Sequence, residues 1–303
     1  MFAALFPGQG SQKLGMGREF YEGSAAARKV LGRAEEVLPG LLEIMWQGPA
    51  ETLQLTANQQ PALLAVSTAA WAAWREAGGG LPASAAGHSL GEWSAHVAAG
   101  TLALEDALRL VRKRGQYMQE AVPAGKGAMA AVLKLEAERV NEVIKNIPGV
   151  EAANFNSPQQ VVISGLAEAV AEAAKALKEQ RARVIPLKVS APFHSSLMEP
   201  ARQALAADLA ATMLREPAFP VYSNVTARPE SDPDRIRELL LEQITSPVRW
   251  VEILKAMFAA GTREFFEFGS GDVLSGLVKR TLPEASALAL QTPQDLESAL
   301  EGA

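Results

Sequence analysis

Ser89 stands in Ala86-Gly87-His88-Ser89-Leu90-Gly91-Glu92-Trp93, a Gly-x-Ser-x-Gly pattern with small residues before it and a helical pattern after it. A serine on a sharp strand-to-helix turn has strained backbone and a hydroxyl pushed clear of the sheet. Glycines two residues to either side let neighbouring backbone pass close by. That is the setting of a nucleophile that attacks carbonyl carbon. The N-terminus of the following helix would turn free N–H groups and a positive dipole end towards the charge that grows on the attacked oxygen. The same pattern also arises by chance as an ordinary turn in an Ala/Gly-rich chain, so it needs structural context to carry weight.

A serine nucleophile needs a base, and the chain offers three histidines. His88 adjoins Ser89, where strand alternation turns its side chain away, and His96 lies seven residues along the helix, roughly 10 Å by helical rise. Both read as structural. His194, in Ala191-Pro192-Phe193-His194-Ser195-Ser196 just ahead of a helix, is the best base. Near the N-terminus, Gly8-Gln9-Gly10 frees the Gln9 backbone for close approach to a ligand. Its N–H is half of an oxyanion hole on one reading and part of a plain tight turn on the other. Arg114 falls inside the apolar stripe Ala107, Leu108, Val111, Met118, Val122 of one helix, so it points inward. A buried guanidinium needs either a structural carboxylate or an anionic ligand, and a ligand role suits a bidentate carboxylate clamp.

The elements that must bring these residues together form a mixed α/β pattern. An apolar run at Phe2 to Phe6 reads as a buried strand feeding the Gln9 loop, and Pro82 to Gly87 as the strand into Ser89, although its Ala/Ser composition is not that of a strand. Gly17 to Trp74 reads as interrupted helix, with Pro61 in the first turn of a long Ala-rich segment. Helices are expected from Leu90 to Ala99 and from Leu104 to Val122. From Gly125 to Val189 the order is β-α-β-β-α-β, the split βαβ or ferredoxin-like arrangement. Gly125-Lys126-Gly127 and Ser190-Ala191-Pro192 are candidate hinges on either side of it. The expected organisation is a discontinuous catalytic domain, 1–124 with 191–303, interrupted by an inserted domain at 125–190. Beyond the insert, strands at Val221 and at Glu264 to Phe268 alternate with helices. The last of these opens after Gly269-Ser270-Gly271, which reads as a helix-entry turn or, more weakly, as a phosphate cradle.

The chain has 303 residues, 48% of them hydrophobic and 21% charged, a composition that argues against disorder and fibrous repeats. It has no cysteine, which excludes disulfides and thiol catalysis, and its histidines lack metal-ligand spacing. The net charge of −5 does not suggest nucleic-acid binding. No stretch reaches the ~20 apolar residues of a membrane span, and the N-terminus lacks a basic start, so a cytoplasmic location is expected.

Pro7-Gly8-Gln9-Gly10-Ser11-Gln12, Gly87-His88-Ser89-Leu90-Gly91-Glu92, Arg114-Gly115, Asn156-Ser157-Pro158, Val162-Ile163-Ser164-Gly165, Pro192-Phe193-His194-Ser195 and Gly276-Leu277-Val278-Lys279-Arg280 occur in that order from end to end. Together they resemble the malonyl-CoA:acyl carrier protein transacylases of bacterial fatty-acid synthesis. The resemblance implies an α/β-hydrolase-like large domain with a ferredoxin-like insert. It also implies acylation of Ser89, His194 as the base, and an oxyanion hole from the Gln9 and Leu90 backbone N–H groups. Arg114 would bind the malonyl carboxylate, and the Gln243 backbone carbonyl would orient His194 in place of a triad acid. The implied enzyme is a monomer that takes malonyl-CoA and acyl carrier protein and uses neither cofactor nor metal. Two departures are mild: Trp93 where the family carries tyrosine or phenylalanine, and Gly269-Ser270-Gly271 where Gly-Pro-Gly is usual. Carrier proteins are acidic, and Lys188, Arg249, Lys279 and Arg280 are candidates for a basic docking patch. A serine esterase or thioesterase on the same elbow is the rival reading. It is disfavoured because Asp106 is the only aspartate between Ser89 and His194, and over a hundred residues follow the histidine.

Overall fold

The structure, a computed structural model, describes residues 1–189 and 191–301. Ser190 of the second expected hinge lies outside the described residues. Among the described residues there are ten strands: β1 Phe2–Phe6, β2 Ser84–Gly87, β3 Gly127–Leu133, β4 Val150–Ser157, β5 Gln160–Leu166, β6 Arg183–Pro186, β7 Val221–Tyr222, β8 Pro229–Glu230, β9 Glu264–Phe268 and β10 Ser286–Leu290. They form two sheets, one in the order β10-β9-β1-β2-β7-β8 and the other β4-β5-β3-β6. The first is parallel except for β8, and β1 and β2 lie at its centre, in register from Ala3 against Ser84 to Phe6 against Gly87.

Alternation along the central strands divides the core into two layers. Ala4 and Phe6 of β1, with Phe266 and Phe268 of β9, face the helix Thr56–Glu76, where Trp74 meets Phe266 edge-on at 5.5 Å. Ala3, Leu5 and Phe265 face the opposite way, towards the helices Trp250–Ala259 and Val273–Thr281. The strand leading to Ser89 is composed against its propensity, yet Ala85 and Ala86 are wholly buried between β1 and β7. Its partners, rather than its residues, make it a strand, because strand propensity measures fit to neighbours.

The helix Thr56–Glu76 starts earlier than its sequence suggests. Asn58-Gln59-Gln60 reads as an interruption with Pro61 opening the helix, but these residues are already helical and Pro61 lies in the second turn. Their polar side chains are buried because each meets a partner: Asn58 Oδ1 accepts from Arg112, Gln59 Oε1 from Gln9 and Gln60 Oε1 from Arg114. The chain also continues past the expected last helix with β10 and the helix Pro293–Glu301, an edge strand and its cover that the sequence reading left out. Among the described residues no helix is long and apolar enough to cross a membrane.

The second sheet is antiparallel throughout, and the helices Ala137–Ile144 and Ala167–Glu179 cover one of its faces around Val132, Ile163 and Leu177. Its other face contributes Met129, Ala131, Ala153 and Val162 to the main core. Backbone also ties β4 of the smaller sheet to the segment ahead of the helix Trp250–Ala259, Phe155 N–H donating to Val248 O at 2.9 Å and Val248 N–H to Ala153 O at 2.8 Å. The connectors flanking the smaller sheet touch one another. A Cβ on Gly127 would lie 2.3 Å from the Pro192 ring.

Candidate active site

Ser89 lies two residues past the end of β2 and immediately before the helix Leu90–Ala98, with φ 51° and ψ −107°, a conformation that residues other than glycine rarely adopt. Two close approaches require the flanking glycines. A Cβ on Gly87 would sit 1.8 Å from the Gly91 carbonyl carbon, and one on Gly91 would sit 1.9 Å from the Phe6 oxygen. Asn224, beyond the end of β7, pins the turn: its Oδ1 accepts from Ser89 N–H at 2.7 Å while its Nδ2 donates to Gly87 O at 2.7 Å. The sequence held no signal for Asn224 short of the fold that puts β7 beside β2.

His194, also at positive φ, lies with Nε2 2.7 Å from Ser89 Oγ. Its Nδ1 faces the backbone oxygens of Gln243 at 2.9 Å and Ser246 at 3.1 Å. Two acceptors there place the ring proton on Nδ1, leaving the Nε2 lone pair for the serine hydroxyl. Burial, and then the charge of Arg114, push the imidazole down to about 3, so the ring is neutral and its Nε2 lone pair is not already protonated. Asp106, the only aspartate that chain order left for a triad, is instead half exposed and pairs with Arg109 at 3.6 Å.

Arg114 points inward as its spacing predicts and is completely buried. Nη1 donates to Gln60 Oε1 at 2.8 Å, and Nη2 donates to Gln243 Oε1 at 2.9 Å and to Ser89 Oγ at 3.2 Å. Its Nε finds no protein partner, and among the described residues no carboxylate comes within ion-pair distance. Of the two readings left open by the sequence, the structural ion pair is therefore not made. Burial lowers its pKa to about 10, with the charge of Glu92 opposing that shift, so the guanidinium stays protonated at neutral pH. Glu92 is buried in the first turn of the helix, and desolvation raises it to about 7.

Gln9 and Ser89 both line a cavity of about 430 Å³ between the two sheets, together with Met129, Asn154 and His194. The Gln9 and Leu90 amides carry no protein acceptor among the described residues. His88 makes no hydrogen bond to Ser89; its Nε2 lies 2.8 Å from Asn156 Oδ1, and its ring borders the cavity. His96 is buried in the helix, away from the cavity lining. Of the basic candidates, only Lys188 lines this cavity. Arg249 is paired with Glu252 beside a separate cavity of about 530 Å³, Arg280 donates to Gln160, and Lys279 is exposed. The Gly269-Ser270-Gly271 turn is a helix entry and not a phosphate cradle. Glu267 already accepts from the Leu274 and Ser275 N–H groups at the start of that helix, at 3.0 and 2.7 Å. Ser270 Oγ donates to Ser11 O at 2.7 Å, which ties this turn to the Gln9 loop.

A serine on a glycine-flanked elbow, a neutral imidazole aimed at it and a buried cation beside it form an arrangement suited to acyl chemistry. The acyl transferase domain model matches residues 4–294. A malonyl CoA-acyl carrier protein transacylase of Bacillus subtilis (strain 168) is 46% identical over 305 residues, covering 99% of this chain and 96% of its own. The solved malonyl CoA-acyl carrier protein transacylase of Coxiella burnetii superposes with a TM-score of 0.97 at 40% identity, covering 99% of this chain and 96% of that one. A malonyl-transacylase solved in complex with its type II PKS acyl-carrier protein gives a TM-score of 0.97 at 43% identity, with coverage of 100% and 99%. With similarity of this extent lying over this geometry, the chain is an acyltransferase that belongs to the malonyl CoA-acyl carrier protein transacylase family.

Proposed function

We propose that this enzyme moves the malonyl group from malonyl-CoA to the phosphopantetheine thiol of an acyl carrier protein through a malonyl ester on Ser89, supplying fatty-acid elongation. The observation that carries the reading is the approach of His194 Nε2 and Arg114 Nη2 to one serine hydroxyl, at 2.7 and 3.2 Å. His194 takes the Ser89 proton as the oxygen attacks the thioester carbon. The oxyanion of the tetrahedral intermediate accepts from the Gln9 and Leu90 N–H groups. Collapse breaks the C–S bond, and the imidazolium protonates the departing CoA thiolate. The carrier thiol then enters, gives its proton to His194 and attacks the ester; Ser89 oxygen leaves and recovers that proton. Such a sequence is ping-pong. The Gln243 and Ser246 carbonyls hold the Nδ1 proton throughout, in the place of a triad acid. Arg114 grips the carboxylate that distinguishes malonyl from acetyl.

The architecture is read as an α/β-hydrolase-like domain, 1–124 with 191–303, carrying a ferredoxin-like insert at 125–190. In the insert's own strand numbering the order β4-β5-β3-β6 is 2-3-1-4, which supports that class. Every group named in the mechanism comes from one chain, which supports a monomer as the working unit. The cavity between the sheets shields the ester from water. Mixing the protein with malonyl-CoA should add one malonyl group in the intact mass spectrum, and Ser89→Ala should abolish it. Labelling that survives in Ser89→Ala would sink the reading. The esterase alternative predicts free malonate in place of malonylated carrier protein.

A further inference from the structure

Gln243 is completely buried, and its side chain stands between the Arg114 cation and Glu92, which carries its charge above about pH 7. Its Oε1 accepts from Arg114 Nη2 at 2.9 Å; its Nε2 donates to Glu92 Oε2 at 2.6 Å and to Ser89 O at 3.0 Å. The two charges determine which way the amide lies. Turned over, it would set its oxygen against a carboxylate and its NH2 against a guanidinium, repulsive at both ends. Glu92 is held in turn, its Oε2 accepting from Asn224 N–H at 3.1 Å, and Asn224 grips the nucleophile turn. The acid therefore reaches the cation only through one amide. A carboxylate in direct contact would cancel the charge; a carboxylate one amide away favours the cation without neutralising it, and leaves Nε unpartnered.

We infer that Glu92 and the side chain of Gln243 are positioning residues that hold Arg114 as an un-neutralised cation beside Ser89, and that discrimination for a carboxylate-bearing acyl group depends on this relay. The inference rests on the proposed carboxylate-binding role of Arg114. Through its backbone oxygen Gln243 also orients His194, so one residue joins the acyl-selecting cation to the base.

The test compares kcat/KM for malonyl-CoA and acetyl-CoA in Gln243→Met, which keeps the backbone carbonyl and similar bulk, in Glu92→Gln, which keeps shape and removes the charge, and in Arg114→Ala. Gln243→Met should lower the malonyl-to-acetyl ratio about tenfold or more, the effect of losing a hydrogen bond to a charged group. Glu92→Gln should shift it in the same direction by less, since one charge-assisted bond becomes a neutral one. A fall in both substrates together is what a merely structural role would give, and it overturns the inference. Should Gln243→Met fail to fold, the isosteric Glu92→Gln decides alone. Placed on Arg114→Ala, Glu92→Gln should move the ratio no further; a further shift there means Glu92 acts apart from Arg114 and overturns the relay. If Arg114→Ala shifts the ratio while both other variants leave it at the wild-type value, the relay alone falls. If Arg114→Ala itself leaves the ratio unchanged, the carboxylate-binding role falls with it.

Discussion

Arg114 donates to Gln60, to Gln243 and to the Ser89 hydroxyl, and no carboxylate of the described residues closes on it. A buried cation left in that state is costly unless a ligand supplies the missing charge. Arg114→Ala should therefore reduce malonyl-CoA turnover by roughly ten- to a hundredfold, the equivalent of ~1.5–3 kcal/mol for hydrogen bonds to a charged group. Acetyl-CoA, which has no carboxylate, should acylate Ser89 as well as before or better. The kcat/KM ratio of the two substrates, measured beside a thermal melt, checks this; an equal fall for both in a destabilised protein would make Arg114 a structural residue. The inward direction of this side chain was legible from its place among Ala107, Leu108, Val111 and Met118. The nature of its partners was not, because Gln60 and Gln243 lie 54 residues before it and 129 after it in the chain.

Arg114 is carried by the helix Leu104–Glu120, which crosses the helix Thr56–Glu76 at Gly115. A Cβ there would lie 2.6 Å from Thr56 O and 2.8 Å from Ala57 Cα, backbone that cannot turn aside as a side chain can. Gly115→Ala should force the helices apart at a cost of about 1–3 kcal/mol, typical of overpacking. Because the neighbouring residue is Arg114, the same displacement should loosen its hold beside Ser89. The expected result is a lower melting temperature together with a reduced malonyl-to-acetyl ratio; an unchanged melt and ratio would show that the crossing relaxes freely. The existence of both helices was legible from periodicity. The start of Thr56–Glu76 was not, since Asn58-Gln59-Gln60 reads as a break until its buried partners are known.

For the molecule as a whole, burial of ionisable groups sets how stability follows pH. His194 and His96 are pushed down to about 3 chiefly by burial, and His88 is lowered as well. Between about 3 and 6.5 the unfolded chain binds protons that the folded one refuses. Their contribution to stability is thus full above 6.5 and is lost as pH falls towards 3. Glu92 and Glu267 act in the opposite sense. Desolvation raises both from 4.5 to about 7, so the stability linked to them is present below 4.5 and lost as pH rises through 7. His96, with an unpartnered Nδ1, stands apart from the chemistry. His96→Leu should reduce the loss of unfolding free energy between pH 7 and pH 5 by about 2 kcal/mol, with malonyl transfer at pH 7 little changed. Denaturant curves at the two pH values check this, and parallel behaviour of variant and parent would refute it.

The sequence by itself determined the Gly-x-Ser-x-Gly turn at Ser89, the histidine singled out to meet it, the inward arginine and the β-α-β-β-α-β order of the smaller sheet. Each of these depends on residue type and short-range spacing: glycines that let backbone approach, a helical period that selects a face, alternation that marks a strand. Only the tertiary structure decided that Ala-rich Ser84–Gly87 is a central strand, that Asn224 braces the Ser89 turn, that Ser246 shares the Nδ1 proton of His194, and that Gln243 stands between Glu92 and Arg114. These are pairings between residues far apart in the chain, and a polar side chain shows no sign in the sequence of being buried until the fold brings its partner to it.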